Sequence, residues 1–248
     1  MRGTGLALVA LLWAPLAFAA DCPQPFKVTF GVEWHGMNAG TSILELTRKG
    51  PTEWTYKSSN MARGLFRIAL PGTITQVSNF KVENGMVVPL RYVGDDGSSD
   101  TSKDVSLEFD WGARKVTGTA EDKPVEQPLT PGVQDSLSVQ VALMCALASG
   151  NVPASFRLID KDEIKEYQYT REGDAKLDTA VGKLDTVIYR SQKKGASRYT
   201  RLWIAPRLGY LPVRAEQAKR DKRELQLTIR AVERPESAAA TAANTANR

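Results

Sequence analysis

Few residues in this chain are equipped for chemistry. There is one histidine, His35, and there are two cysteines, Cys22 and Cys145. A Ser-His-Asp or Cys-His centre would have to use His35, because such a centre needs an imidazole base near neutral pH. His35 ends the stretch FGVEWHG beside Gly36, which reads as a strand running into a turn. A multi-histidine metal site is excluded by count. The two cysteines lack the C-x-x-C spacing of a redox pair or a zinc site. There is no G-x-S-x-G, Walker loop or G-x-G-x-x-G in strand–turn–helix context. The loop GDDGSSDTSKD holds Asp95, Asp96, Asp100 and Asp104, oxygen ligands of the kind calcium takes. It lacks the ordered spacing and terminal bidentate glutamate of an EF-hand loop and reads as a solvated hairpin tip. No catalytic residue, no metal and no cofactor is expected. The enzymatic reading left open is a hydrolase working with carboxylates alone, and Asp and Glu alternate along the strands too often to choose a pair.

The cysteines instead bear on location. Arg2, the apolar run LALVALLWAPL and the small residues of Ala17-Phe18-Ala19 form a secretory signal peptide with an A-x-A end, over residues 1–20. The run is too short to remain as a membrane-spanning helix, and no second long apolar run follows, so no transmembrane segment is expected after cleavage. Lipid attachment at Cys22 requires a small residue directly before it, and Asp21 stands there. An exported chain meets an oxidising compartment, where an even cysteine count suggests a Cys22–Cys145 bridge. The alternative is that Cys145 is a free thiol buried in an apolar helix. The expected location is the periplasm.

The formal net charge is +5, one unit of it on Arg2 in the leader, and both signs are interspersed. A nucleic-acid binder concentrates its charge, so no nucleic-acid partner is expected. Two basic tips, Lys193-Lys194 and Lys219-Arg220 with Lys222-Arg223, can touch anionic lipid or serve solubility and edge protection. The end, PESAAATAANTANR, cannot bury a core and reads as a disordered tail over 235–248. Between leader and tail, residues 21–234 suit a single β-rich domain.

Alternation dominates the chain. In FKVTFGVEW, Phe26, Val28, Phe30, Val32 and Trp34 fall on one face, and ELQLTIRAVE repeats the pattern. TSILELT, EWTYKSS, DVSLEFDW, KVTGTA, KEYQYT, DTVIYRS, RYTRLWIA and YLPVRAEQ read as further strands. Short turns rich in Gly, Asp, Asn and Lys separate them, which argues for an antiparallel meander. A sheet this long curls to limit its edges. One segment differs: GVQDSLSVQVALMCALASGN has helical spacing, with Asp135 as N-cap and Gly150-Asn151 as stop. The expected fold is mainly β: a curled antiparallel sheet or incomplete β-barrel, with one main helix at about 135–148 packed against or inside it. Trp34, Trp54, Trp111 and Trp203 lie in strands, where they line a ligand cavity or fill a large core.

In order along the chain, FGVEWHGMNAGTSILEL, ARGLFRIAL, VSNFKVENGMVVPLRY, LEFDW, LTPGVQDSLSVQVAL, GKLDTVIYRSQ, RLWIAP and GYLPVRAEQ resemble the exported bacterial proteins of domain-of-unknown-function family 3108. The resemblance brings no catalytic residues. It implies an exported β-rich domain, a curled sheet or incomplete barrel around a helix. At fold level this is similar to periplasmic carriers of lipoproteins and other lipids, which enclose an apolar cavity in a curved sheet plugged by helices. The leading expectation is a non-enzymatic periplasmic protein that binds an apolar ligand, a lipid or acyl chain, or serves envelope maintenance. The alternative is an interaction module with a filled core and an envelope-protein partner; the carboxylate hydrolase ranks below both.

Overall fold

The computed structural model describes residues 22–235. The expected leader, and all of the expected tail except Pro235, lie outside the described residues.

Eight strands form the first half: β1 (Phe26–Trp34), β2 (Met37–Arg48), β3 (Glu53–Ala62), β4 (Thr73–Glu83), β5 (Met86–Asp95), β6 (Val105–Asp110), β7 (Lys115–Ala120) and β8 (Lys123–Pro128). A four-residue helix, α1 (Phe66–Ala69), lies between β3 and β4. The chain then makes the short β9 (Val133–Gln134) and the main helix α2 (Ser138–Ser149). Six strands complete it: β10 (Ser155–Asp160), β11 (Glu163–Thr179), β12 (Gly182–Lys193), β13 (Arg198–Ala205), β14 (Leu211–Lys219) and β15 (Lys222–Glu233).

All fifteen strands belong to one sheet, in the order β8-β7-β6-β5-β4-β3-β2-β1-β15-β14-β13-β12-β11-β10-β9. The first strand pairs with the last, with Lys27 opposite Glu233 and Trp34 opposite Leu225, so both halves meander outward from a central seam. Only β9–β10 is parallel. The sheet does not close by a ladder between β8 and β9, as an incomplete barrel requires. Side chains draw its edges together instead. From β9, Gln134 donates to the Val87 carbonyl of β5 at 2.9 Å; from β8, Gln127 donates to the Asp162 carbonyl beyond β10 at 2.8 Å. Lys161 pairs with Glu121 at 2.6 Å between two hairpin tips. These three contacts bridge the two edges at isolated points, without a backbone ladder between them.

The hairpin turns explain several residues that sequence alone leaves ambiguous. His35 and Gly36 carry φ of +47° and +82°, the left-handed pair that a two-residue hairpin demands. The lone histidine is therefore a turn residue, exposed, with its ring edge-on to Trp34.

Helix α2 sits on the concave side, against β4 and β5. Its start is set by Asp135, whose Oδ1 accepts from the N–H groups of Leu137 and Ser138, both at 2.8 Å. In return the Ser138 hydroxyl accepts from the Asp135 N–H at 2.9 Å. This is the reciprocal arrangement of a capping box, with regular helix beginning three residues beyond the aspartate. Gly150, at φ +73°, ends the helix and bonds back to the carbonyls of Ala146 and Leu147, as a left-handed C-terminal glycine does. Val139, Val141, Leu143, Met144 and Cys145 are all buried. The helix is apolar around most of its girth because it is enclosed on more than one side.

A disulfide joins Cys22 to Cys145, with Cα atoms 5.3 Å apart. It ties the segment before β1, at the seam of the sheet, to the buried face of α2.

Candidate functional site

Side-chain size along the inward faces shapes the interior. On β3 the inward residues run Trp54, Tyr56, Ser58, Asn60, Ala62, large to small. Their partners on β2 keep the same order: Leu46 opposite Tyr56, Leu44 opposite Ser58, Ser42 opposite Asn60 and Gly40 opposite Ala62. On β4, Phe80 faces Trp54 while Gln76 faces Ser58. One end of the curl is thus filled. Phe26 and Tyr56 meet edge-on there, with centroids 5.9 Å apart. The Tyr56 hydroxyl donates to Gln140 of α2 at 3.2 Å, and burial raises its pKa.

The other end is hollow. A cavity of about 820 Å³ lies between the strands and α2, inside the roughly 300–1,000 Å³ range of ligand sites. One wall is mainly apolar, with Leu202, Leu211, Leu225 and Leu227 from β13–β15 and the polar Thr200 and Gln217 among them. The facing wall on β2–β4 carries neutral polar groups: Ser42, Ser58, Asn60 and Gln76. The floor is the helix, through Leu137, Val139, Gln140 and Leu143. Among the described residues that line it, none is charged. An ionised group taken into such a space finds no counter-ion and keeps its full desolvation cost. An uncharged, largely hydrocarbon ligand suffers no such penalty and removes apolar surface from water on both sides.

The mouth opens where β1 ends and β3 leads into α1. Trp34 and Met61 line the cavity and are exposed at its rim. From the β3–β4 connection, Phe66 and Leu70 turn towards the cavity, while Leu65 and Ile68 are 83% and 80% exposed.

The structure separates the four tryptophans. Trp34 lines the cavity. Trp54 and Trp203 are buried in the core, Trp203 with the Arg214 guanidinium 5.6 Å from its ring centroid. Trp111 packs partly against the core, and its indole N–H donates to the Pro89 carbonyl at 2.6 Å. It also borders a separate surface depression with Lys81, Glu83 and Glu108. The acidic loop is spent on its own backbone: Asp95 accepts from Gly97 N–H, Asp96 from Ser98 N–H and Asp104 from Asp96 N–H. Oxygens of Asp95, Asp96 and Asp104 come within 4.8 Å of one another, but those bonds explain the convergence without an ion.

Sequence periodicity missed the cavity walls of Leu, Ser, Asn and Gln. The available signal was the size gradient: W-x-Y-x-S-x-N-x-A along β3 and, reversed, G-x-S-x-L-x-L along β2. Alternation reports which face is inward; the volumes on that face report whether it is filled.

Fold and site together define an incomplete β-barrel with a helix-floored, uncharged cavity open at one end. The chain belongs to the family described as "Protein of unknown function (DUF3108)", whose profile matches residues 26–222. Among solved structures, it is similar to a β-barrel-like protein of family DUF1849 from Brucella abortus. The TM-score is 0.59 at 9% identity, over 88% of this chain and 100% of the other, and the likeness shows a shared fold. An exported protein with a YmcC-like fold from Bacteroides fragilis matches at TM-score 0.36 and 9% identity, over 86% of this chain and 97% of that one. A domain of an outer membrane lipoprotein-sorting protein from Vibrio parahaemolyticus matches at TM-score 0.24 and 8% identity, over 91% and 92%. No curated protein matches the chain. Among the described residues, no helix is long and apolar enough to cross a membrane.

Proposed function

We propose that this is a non-enzymatic periplasmic protein that holds an apolar ligand, a lipid or acyl chain, in the hollow end of its sheet. The observation that carries the reading is the cavity of about 820 Å³ with no charged residue among the described residues that line it. The hydrocarbon part of a lipid lies along the leucine wall, and its ester or amide groups meet Ser42, Ser58, Asn60 and Gln76. A charged headgroup stays at the open mouth, where water solvates it. Export is supported by the leader pattern of residues 1–20 and by the Cys22–Cys145 bridge, since disulfides persist in oxidising compartments. A carboxylate hydrolase is poorly supported, because no Asp or Glu among the described residues lines the cavity. An interaction module with a filled interior suits the packed end of the curl but leaves the hollow end without a role.

The test is saturable uptake of a fluorescent fatty acid by delipidated protein, compared with Ala215→Trp. Ala215 lines the cavity from β14, between its register partners Leu202 and Leu227, and is only partly buried. An indole there enters empty space rather than packed core. Uptake is expected to fall at least tenfold, with the thermal midpoint within a few degrees of the parent. Equal uptake by both proteins, or none by the parent, would count against the reading.

A further inference from the structure

The mouth of the cavity carries a surface that the packing of the sheet does not account for. Residues 63–70 read RGLFRIAL and project from the sheet between β3 and β4. The short helix buries no residue. Leu65 and Ile68 stand in solvent at 83% and 80% exposure, beside Leu70, Met61, Trp34 and Met37, all exposed. Exposed large hydrophobic residues scattered singly are ordinary, but a contiguous group signals an interaction surface.

The occupant is indicated by charge. Arg63 and Arg67 stand on the same projection, exposed, and have no ion pair among the described residues. The strand directions bring two further basic tips to this end of the barrel. Trp34 pairs with Leu225, which places the β14–β15 turn, with Lys219, Arg220 and Lys222, beside the end of β1. Arg198 pairs with Lys219, which brings Lys193 and Lys194 of the β12–β13 turn alongside. The acidic β5–β6 loop lies at this end too; hydrogen bonds within its turn hold Asp96 and Asp100 ionised, with Lys103 3.9 Å from Asp96. Asp221 sits in the β14–β15 tip, so attraction to an anionic surface rests on Arg63, Arg67 and the lysines and arginine of the two tips. Apolar side chains projecting between unpaired arginines and lysines match a bilayer, with hydrocarbon below a layer of phosphates.

We infer that the RGLFRIAL projection docks the open mouth onto a bilayer containing anionic phospholipid. Leu65 and Ile68 enter the acyl region, while Arg63, Arg67 and the basic tips meet headgroup phosphates. Phe66 and Leu70 reach into the cavity from the same segment, so a lipid leaving the bilayer passes from one apolar surface to the next without crossing water. This deepens the carrier reading and rests on it for its purpose, though docking itself is measured separately.

The experiment is flotation of the processed, disulfide-bonded chain with phosphatidylcholine vesicles, with and without phosphatidylglycerol, at low ionic strength. Binding is expected only when the anionic lipid is present, and it is expected to weaken with added salt. Arg63→Ala with Arg67→Ala is expected to weaken it roughly thirtyfold, from about fivefold per cation at an anionic surface. Leu65→Ser with Ile68→Ser is expected to weaken it by about a hundredfold, from the lost burial of two large aliphatic side chains. Neither pair should shift the thermal midpoint, since neither contributes to the core. Parent protein that stays with the buffer would overturn docking, as would variants that float like the parent. So would a parent dimer that Leu65→Ser with Ile68→Ser splits, because the lip would then be covered by a second copy. Fatty-acid uptake measured without vesicles separates the two ideas: uptake without flotation sinks docking alone, and flotation without uptake sinks the carrier alone.

Discussion

Reduction of the Cys22–Cys145 bridge is expected to lower the free energy of unfolding by about 3–5 kcal/mol, which is about a fifth of the total even in a protein at the stable end of the ordinary range and much more in a marginal one. The bond spans a sequence separation of 123. Without it, the unfolded chain regains the freedom of a very long loop. The folded state itself loses little, because both sulfurs lie in or against the apolar core, where a free thiol behaves as a small hydrophobe. The reduced protein should therefore still fold. The bridge also fixes the helix that floors the cavity to the seam of the sheet, so ligand uptake should weaken along with stability. Denaturant midpoints of the oxidised chain and of Cys22→Ala with Cys145→Ala measure the effect. Equal midpoints would mean that the bridge does not hold the fold.

The second large effect is expected at Asp135. Its carboxylate is fully buried and accepts from Leu137 N–H, Ser138 N–H and, at 2.6 Å, the Ser78 hydroxyl of β4. It starts the helix and pins it to the sheet. Asp135→Ala leaves three donors facing a dry hole and should cost about 3–5 kcal/mol, from the lost cap and the desolvated donors together. Asp135→Asn keeps an oxygen for the two N–H groups, and the Ser78 hydroxyl can rotate to accept from the amide. It should cost no more than about 1 kcal/mol. The two variants also separate in pH dependence. Burial raises the Asp135 pKa, against the lowering effect of its hydrogen bonds with Ser78, Ser138 and Leu137. The folded state then holds the proton more tightly than the unfolded chain. That stability is complete below the ordinary carboxyl pKa of about 4 and is lost as pH rises through the raised folded value. Asparagine has no proton to lose, so Asp135→Asn should lack that part of the slope. Unfolding curves across this range that are parallel for parent and Asp135→Asn would contradict the assignment.

Local patterns were the legible part of this fold. The alternation of FKVTFGVEW and ELQLTIRAVE became β1 and β15, and Asp135 and Gly150 bracket α2 as capping chemistry requires. What local pattern could not reach was relation at a distance. The pairing of first strand with last, and the edge bonds of Gln127 and Gln134, join residues far apart in sequence. Helix α1 is a single turn, below the length at which helical periodicity can register. The candidate site was half legible. Trp34 reaches the cavity, whereas Trp54 and Trp203 are packed into the core, because an aromatic on an inward face fits a filled end as well as a hollow one. Small inward residues distinguish the two ends, and a reading centred on aromatics passes over them. The exposure of Leu65 and Ile68 is illegible for a related reason: in sequence, an apolar loop looks like one more buried segment.

The most direct test of the central claim is native mass spectrometry of the processed chain, purified gently from the cell envelope and never exposed to detergent. The expected spectrum shows protein carrying an added species of lipid or fatty-acid mass, lost on delipidation, restored by incubation with the extracted material and absent from Ala215→Trp. A spectrum of bare protein that acquires nothing on incubation with envelope lipids would contradict the claim that the hollow end of the barrel exists to hold one.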